Sequence, residues 1–310
     1  MTKQLLQGTV TAAFNPVDQD GSVDQKMLRS FCDFQIDSGV DALFVNGSTG
    51  EFAVLSIEMQ KTAIKAYVDA ADGRIPVVAH VGSTRQDEAF DLANYAESLG
   101  VFGIAAVPPF YYGFDKDALT TYFVTLGKSA PNTPLYLYNF PAAARNDLTP
   151  QYLMELRKVC PQLAGVKDTT QDYCRYVDYV DLLGSDFSSM MGSDAMYLAC
   201  MIIGGTGAIS ALAASNPEIM VGIKREYEAG NLDAARNLQK LASRLRHVFN
   251  RPAGQTRRKQ VLALRGIAFP DPHAPMRSLT EAEKAEMKEE LRRLEDEFSV
   301  PLLKPVEASN

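Results

Sequence analysis

Short apolar runs of four to seven residues recur along the first three quarters of the chain, and each is followed by a stretch with helical spacing. The runs fall at 8–14, 42–45, 76–81, 103–107, 134–138, 163–168, 188–191 and 207–210. They are apolar on both faces, as expected of parallel strands covered by helices on each side. Between them the pattern predicts helices over 25–38, 57–71, 87–98, 117–129, 150–159, 173–183 and 195–203. Asp24 and Ser56 stand where N-caps belong; Met59 follows Ser56 by three, so that cap is plain and not a capping box. Short parallel strands joined by helical crossovers, repeated eight times before about residue 228, predict a closed (β/α)8 barrel. A doubly wound open sheet is the alternative, weakened because no Gly-x-Gly-x-x-Gly follows the first strand.

From Gly230 the strand signal stops. Helices are predicted over 232–249, 259–264 and 280–298, which divides the chain into a barrel, 1–228, and a C-terminal helical region, 229–310. With a formal net charge of -7, nucleic acid and anionic membrane are poor partners. There is no apolar run of membrane-spanning length and no signal-peptide core in Met1-Thr2-Lys3-Gln4, so the expected location is the cytoplasm. Cys32, Cys160, Cys174 and Cys200 have no CxxC spacing and read as reduced, mostly buried thiols, with no metal site. His80, His247 and His273 are isolated and read as structural or surface residues.

In a barrel of this kind the chemistry sits where strands run out into loops at the C-terminal face. The sixth run, Leu163-Ala164-Gly165-Val166-Lys167-Asp168, carries a lysine at the tip of a buried strand. Burial disfavours an ammonium and makes the neutral amine available as a nucleophile. The competing reading is a lysine paired with Asp168 or solvated. Tyr138 ends the neighbouring strand, where a phenol can relay protons to and from an amine or carbinolamine. Gly47-Ser48-Thr49-Gly50 ends the second strand. Its glycines let backbone amides approach an anion, and its hydroxyls add donors. Gly204-Gly205 precedes the eighth run, whereas a barrel phosphate cradle follows strands seven and eight.

Taken together, Gly47-Ser48-Thr49-Gly50-Glu51, Pro109-Phe110-Tyr111-Tyr112, Tyr138-Asn139-Phe140-Pro141, Gly165-Val166-Lys167-Asp168 and Gly207-Ala208-Ile209-Ser210 resemble the dihydrodipicolinate synthase / N-acetylneuraminate lyase family, in matching order over nearly the whole chain. The resemblance implies a metal-independent class I aldolase. Lys167 would form a covalent imine with pyruvate or another 2-oxo acid, so no separate cofactor is expected. Tyr138 would shuttle protons, and Tyr111 would complete a relay across a subunit interface. Ser48 and Thr49, with Gly47 and Ile209, would bind the 2-oxo acid. The implied partners are a small 2-oxo acid and an aldehyde, and the implied assembly is a homotetramer. Where the synthases carry an arginine two residues after the Tyr-Asn-x-Pro proline, this chain has Ala143, with Arg145 two further on. Where the sialic acid lyases carry Asp-Glu after the seventh strand, it has Asp194-Ala195. The motifs look closer to 2-keto-3-deoxy sugar acid aldolases. The alternatives are 4-hydroxy-tetrahydrodipicolinate synthase and a 2-keto-3-deoxy acid dehydratase using the same imine.

Overall fold

The computed structural model describes residues 5–306. The N-terminal residues 1–4 lie outside that range. Eight parallel strands close into one barrel in chain order. They are β1 (Gly8–Ala12), β2 (Ala42–Val45), β3 (Val77–His80), β4 (Gly103–Ala106), β5 (Leu135–Asn139), β6 (Leu163–Asp168), β7 (Ser188–Met191) and β8 (Gly207–Ser210). The crossovers are α1 (Gln25–Asp37), α2 (Ile57–Ala71), α3 (Gln86–Ser98), α4 (Lys116–Ser129), α5 (Pro141–Ala144) with α6 (Pro150–Val159), α7 (Tyr173–Leu183) and α8 (Tyr197–Ile202). After β8 come α9 (Pro217–Glu228), α10 (Leu232–Phe249), α11 (Gly254–Leu264) and α12 (Glu281–Phe298). The expected (β/α)8 barrel with C-terminal helices is what forms. No described helix is long and apolar enough to cross a membrane.

Several helix starts follow from capping. Asp24 accepts from the Met27 amide and Ser56 from the Met59 amide, while Thr280 and Glu283 make a reciprocal capping box at α12. Three expectations need correction. The stretch 195–203 is split into a 3-10 turn at Asp194–Met196 and the short α8. A further short helix, α5, follows β5 directly, started by Pro141. And α11 begins at Gly254 rather than 259, because it buries Arg257, Arg258 and Lys259, which no apolar period could mark. Cys32, Cys160 and Cys200 are buried, whereas Cys174 is exposed.

The apolar residues separate into two cores. The larger lies between strands and helices and takes Leu43, Val45, Leu135, Leu137, Leu163 and Val166. The smaller fills the barrel lumen with Val10, Phe44, Val78, Tyr136, Tyr138, Ala164, Met190 and Ile209. Alternate residues of each strand go to opposite cores, as the two-residue period of a strand requires. In β6 that alternation is broken. The pairing with β5 shifts after Leu163, where Leu135 meets Leu163 but Tyr136 meets Gly165. This bulge leaves Ala164 in the lumen and lets Lys167, three residues on, face the lumen too.

Candidate active site

The register of β5 against β6 sets Tyr138 opposite Lys167 and Asn139 opposite Asp168. The first pair turns inward and the second turns toward the helices. Asp168 is not the lysine's partner. Its Oδ2 accepts from Asn139 Nδ2 at 2.7 Å and from the Tyr179 hydroxyl at 3.2 Å, while its Oδ1 accepts from the Thr170 amide at 2.9 Å and from the Thr170 hydroxyl. Asn139 Oδ1 in turn accepts from the Leu148 amide at 2.9 Å. The outward residues thus pin β5, β6 and α7 together through fully occupied polar groups.

Lys167 is 6% exposed and makes no ion pair among the described residues. Its Nζ lies 4.0 Å from the Tyr138 ring centroid and 4.8 Å from that of Phe44, so aromatic faces stand in for a carboxylate. The Tyr138 and Ser48 hydroxyls are 3.4 Å apart. Gly192 on the β7 loop lies against the lysine stem: a Cβ there would stand 3.2 Å from Lys167 Cε, 2.9 Å from Asp168 O and 2.4 Å from Thr169 Cγ2. His80 is fully buried beneath the site. Its Nε2 accepts from the Val107 amide at 3.2 Å, and its ring meets Phe52 edge-on at 4.4 Å. Burial, and secondarily the Lys167 charge, push its pKa from the usual 6.5 down to about 3, so it is a neutral packing residue.

The loop after β2 holds Ser48 and Thr49 at the mouth. Asn46 and Glu51 both take positive φ, 57° and 62°. Asn46 Nδ2 donates to His80 O at 2.8 Å and to Gln60 Oε1 at 2.9 Å. Glu51, with no side-chain exposure, pairs with the equally buried Lys259 of α11. Gly47 does not line the cavity; a Cβ on it would meet the Phe44 ring at 2.6 Å.

Lys167, Tyr138, Ser48, Thr49 and Ile209 all line one cavity of about 240 Å³. Tyr111 does not. It is 70% exposed, with Tyr112 beside it at 67%. His247 is exposed, and His273 is buried against the Glu51 carboxylate and Val17 O. Asp194, noted after the seventh strand, lines the same cavity together with a group that the motifs do not reach, Arg246, Asn250, Gln255 and Arg258. The four after Asp194 come from α10, α11 and the turn between them. Their only signal was an unusual run of cations on a helix that has to pack against the barrel.

A family model described as the dihydrodipicolinate synthetase family matches residues 5–294. The chain belongs to the dihydrodipicolinate synthetase family. A 4-hydroxy-tetrahydrodipicolinate synthase of Brucella abortus is 33% identical over 235 residues, which is 76% of this chain and 80% of that protein. A probable 2-dehydro-3-deoxy-D-pentonate aldolase of Escherichia coli, YjhH, is 34% identical over 245 residues, 78% of this chain and 81% of that one. Among solved structures, the E. coli family member YagE in complex with pyruvate superposes with a TM-score of 0.87 at 28% identity, covering 94% of this chain and 99% of that one. Membership of the dihydrodipicolinate synthetase family accounts for the barrel.

Proposed function

We propose that this protein is a class I aldolase that makes or cleaves a C–C bond with pyruvate as the 2-oxo-acid partner, acting on a 2-keto-3-deoxy sugar acid. The observation that carries the reading is the lumen-facing Lys167, buried, with no carboxylate partner among the described residues and packed on the ring of Tyr138. The neutral amine attacks the ketone carbon, water leaves the carbinolamine, and the protonated imine becomes an electron sink that stabilises an enamine at the adjacent carbon. Tyr138 moves protons at the carbinolamine oxygen and at the hydroxyl of the bond that forms or breaks. Ser48 and Thr49 donate to the 2-oxo-acid carboxylate. No further cofactor is needed for these steps.

The YjhH and Brucella relatives bear on the choice of substrate from two sides. One is named for a keto-deoxy sugar acid, the other for the synthase reaction. Ala143 is exposed and lines an apolar cavity, and Arg145, also exposed, takes no part in the cavity with Lys167. The cation that the synthases place after the Tyr-Asn-x-Pro proline is therefore missing beside Lys167, which sets the chain apart from them at this position. A keto-deoxy acid dehydratase would use the same imine. We take residues 229–310 as a helical region that closes one side of the cavity, and the working form as a cytoplasmic homotetramer. Exposure of Tyr111, Tyr112 and Phe114 on one loop suits burial against another subunit, where Tyr111 would join a relay. Borohydride treatment in the presence of pyruvate should add the reduced pyruvyl mass to Lys167, as read by peptide mass spectrometry. An unmodified Lys167 with pyruvate at saturation would sink the imine. Pyruvate release from keto-deoxy sugar acids, set against condensation of pyruvate with aspartate semialdehyde, then ranks the substrates.

A further inference from the structure

Arg258 is 6% exposed, yet no carboxylate contacts it. Its Nη1 donates to Gly254 O at 3.4 Å, its guanidinium carbon stands 5.0 Å from the Phe249 ring centroid, and its Nε has no partner. Gln255 Oε1, one turn earlier, is also buried without a partner. Both residues line the cavity that holds Lys167, as does Arg246 of α10, whose half-buried guanidinium makes no hydrogen bond or ion pair among the described residues. A buried guanidinium left unsatisfied is costly unless something completes it, and native structures keep very few such groups without a reason.

Charge points the same way. The cavity is lined by three cationic side chains, Lys167, Arg246 and Arg258, against one carboxylate, Asp194. That carboxylate accepts from the Ser210 hydroxyl at 2.6 Å and acts on Arg258 through space, so it offsets one of the three charges and no more. One 2-oxo-acid carboxylate neutralises half of the surplus and leaves a positive charge over. Imine formation does not remove it, because a protonated imine keeps the charge of the lysine. We propose that Arg246 and Arg258, with Gln255 and Asn250 beside them, form a second anion subsite that selects acceptor aldehydes ending in an anionic group. The substrate class would be a keto-deoxy acid anionic at both ends, with the 2-oxo acid at one end and a carboxylate or phosphate at the other. This deepens the aldolase reading and rests on it.

Three acceptors that differ only at the far end test the subsite. Tartronate semialdehyde carries a carboxylate, glyceraldehyde 3-phosphate a phosphate and glyceraldehyde a neutral hydroxymethyl group. In each case a methyl C–H bond of the pyruvyl imine breaks to give the enamine and a proton, the enamine carbon bonds to the aldehyde carbon, the aldehyde oxygen takes up a proton, and hydrolysis of the imine releases the product and returns the lysine. The full-length wild type should use at least one anionic acceptor with a kcat/KM about tenfold or more above that of glyceraldehyde, and the one preferred tells carboxylate from phosphate. Arg246→Gln and Arg258→Met should each lower that preference by about 10- to 100-fold, the range of a lost charge-assisted hydrogen bond. Arg258→Met removes a buried side chain and can unfold α11; Arg246→Gln, at a half-buried position, keeps the test decisive. Wild type that uses all three acceptors equally overturns the subsite, and so does an Arg246→Gln enzyme that loses glyceraldehyde as steeply as the anions. Either result alongside a pyruvate adduct on Lys167 leaves the aldolase reading standing, whereas failure to form the adduct in wild type overturns that reading first.

Discussion

Breaking the pair between Glu51 and Lys259 tests whether the C-terminal helices hold the mouth of the barrel in shape. The two side chains are 0% and 5% exposed. Among the described residues, Lys259 Nζ pairs with Glu51 Oε1 and also donates to Pro270 O at 3.1 Å, while Glu51 Oε2 accepts from the His273 amide at 3.1 Å. Lys259→Met keeps the length and the apolar stem but leaves the Glu51 carboxylate buried with a single amide to solvate it. Removal of one partner from a buried pair costs ~3–5 kcal/mol. Replacing both charges, as in Glu51→Gln with Lys259→Met, leaves an acceptor for the His273 amide and no stranded ion, so it should recover all but about 1–2 kcal/mol. Urea midpoints for the wild type, both single variants and the double variant close the cycle. Because Glu51 is two residues past Thr49, Lys259→Met should also raise the KM for pyruvate more than it lowers kcat. A loss below about 1 kcal/mol in Lys259→Met, or a double variant no better than the worse single one, would refute the view that this pair is a buried clamp on the loop.

Tyr138→Phe keeps the ring beneath Lys167 and removes only the hydroxyl, so kcat should fall by about 10²- to 10⁴-fold while pyruvate still binds; an unchanged kcat removes Tyr138 from the proton path. Gly192→Ala should slow borohydride trapping of pyruvate, since the new Cβ would stand 2.4 Å from Thr169 Cγ2 and 3.2 Å from Lys167 Cε. Its stability cost is that of an overpacked site, about 1–3 kcal/mol, and trapping at the wild-type rate counts against the packing account. For His80 the folded pKa, about 3, lies below the ordinary 6.5. Unfolding therefore takes up a proton between those values, and the stability contributed by the neutral ring is present above about pH 6.5 and lost progressively as the pH falls toward 3. His80→Gln should flatten the acid limb of the stability profile by up to one proton, about 1.4 kcal/mol per pH unit; an identical slope in the two proteins contradicts a buried neutral histidine.

The strands were legible because a covered parallel sheet needs continuous apolar runs, and β6, β7 and β8 form at the residues where those runs stand. Ser48, Thr49, Tyr138 and Lys167 could be named because each stands at or just beyond the end of such a run, where a closed barrel has to gather its loops, whereas Ile209 came from the family resemblance alone. Arg246, Gln255 and Arg258 could not be reached in this way. Their helices bury cations, and a polar residue on a packed face leaves no trace in a hydrophobic period. The start of α11 was missed for the same reason, since the run Arg257, Arg258, Lys259 reads as solvent-facing and is buried.

The orientation of Lys167 shows where a sequence pattern stops being sufficient. In an unbroken β6, the residues sharing a face with Ala164 would be Val166 and Asp168, and Lys167 would point among the helices. The bulge after Leu163 changes that parity, sending Val166 to the helix-facing core and Lys167 to the lumen. Gly165 makes the close approach to β7 possible at this point: a Cβ on it would lie 2.6 Å from Ser188 O and 2.8 Å from Tyr136 Cδ1. Tyr138 comes from β5, where the alternation is regular, so only one of the two facing strands needs the irregularity. The meeting of amine and phenol therefore depends on one extra residue in a strand whose composition looks unremarkable, and on the glycine that lets the sheet close around it.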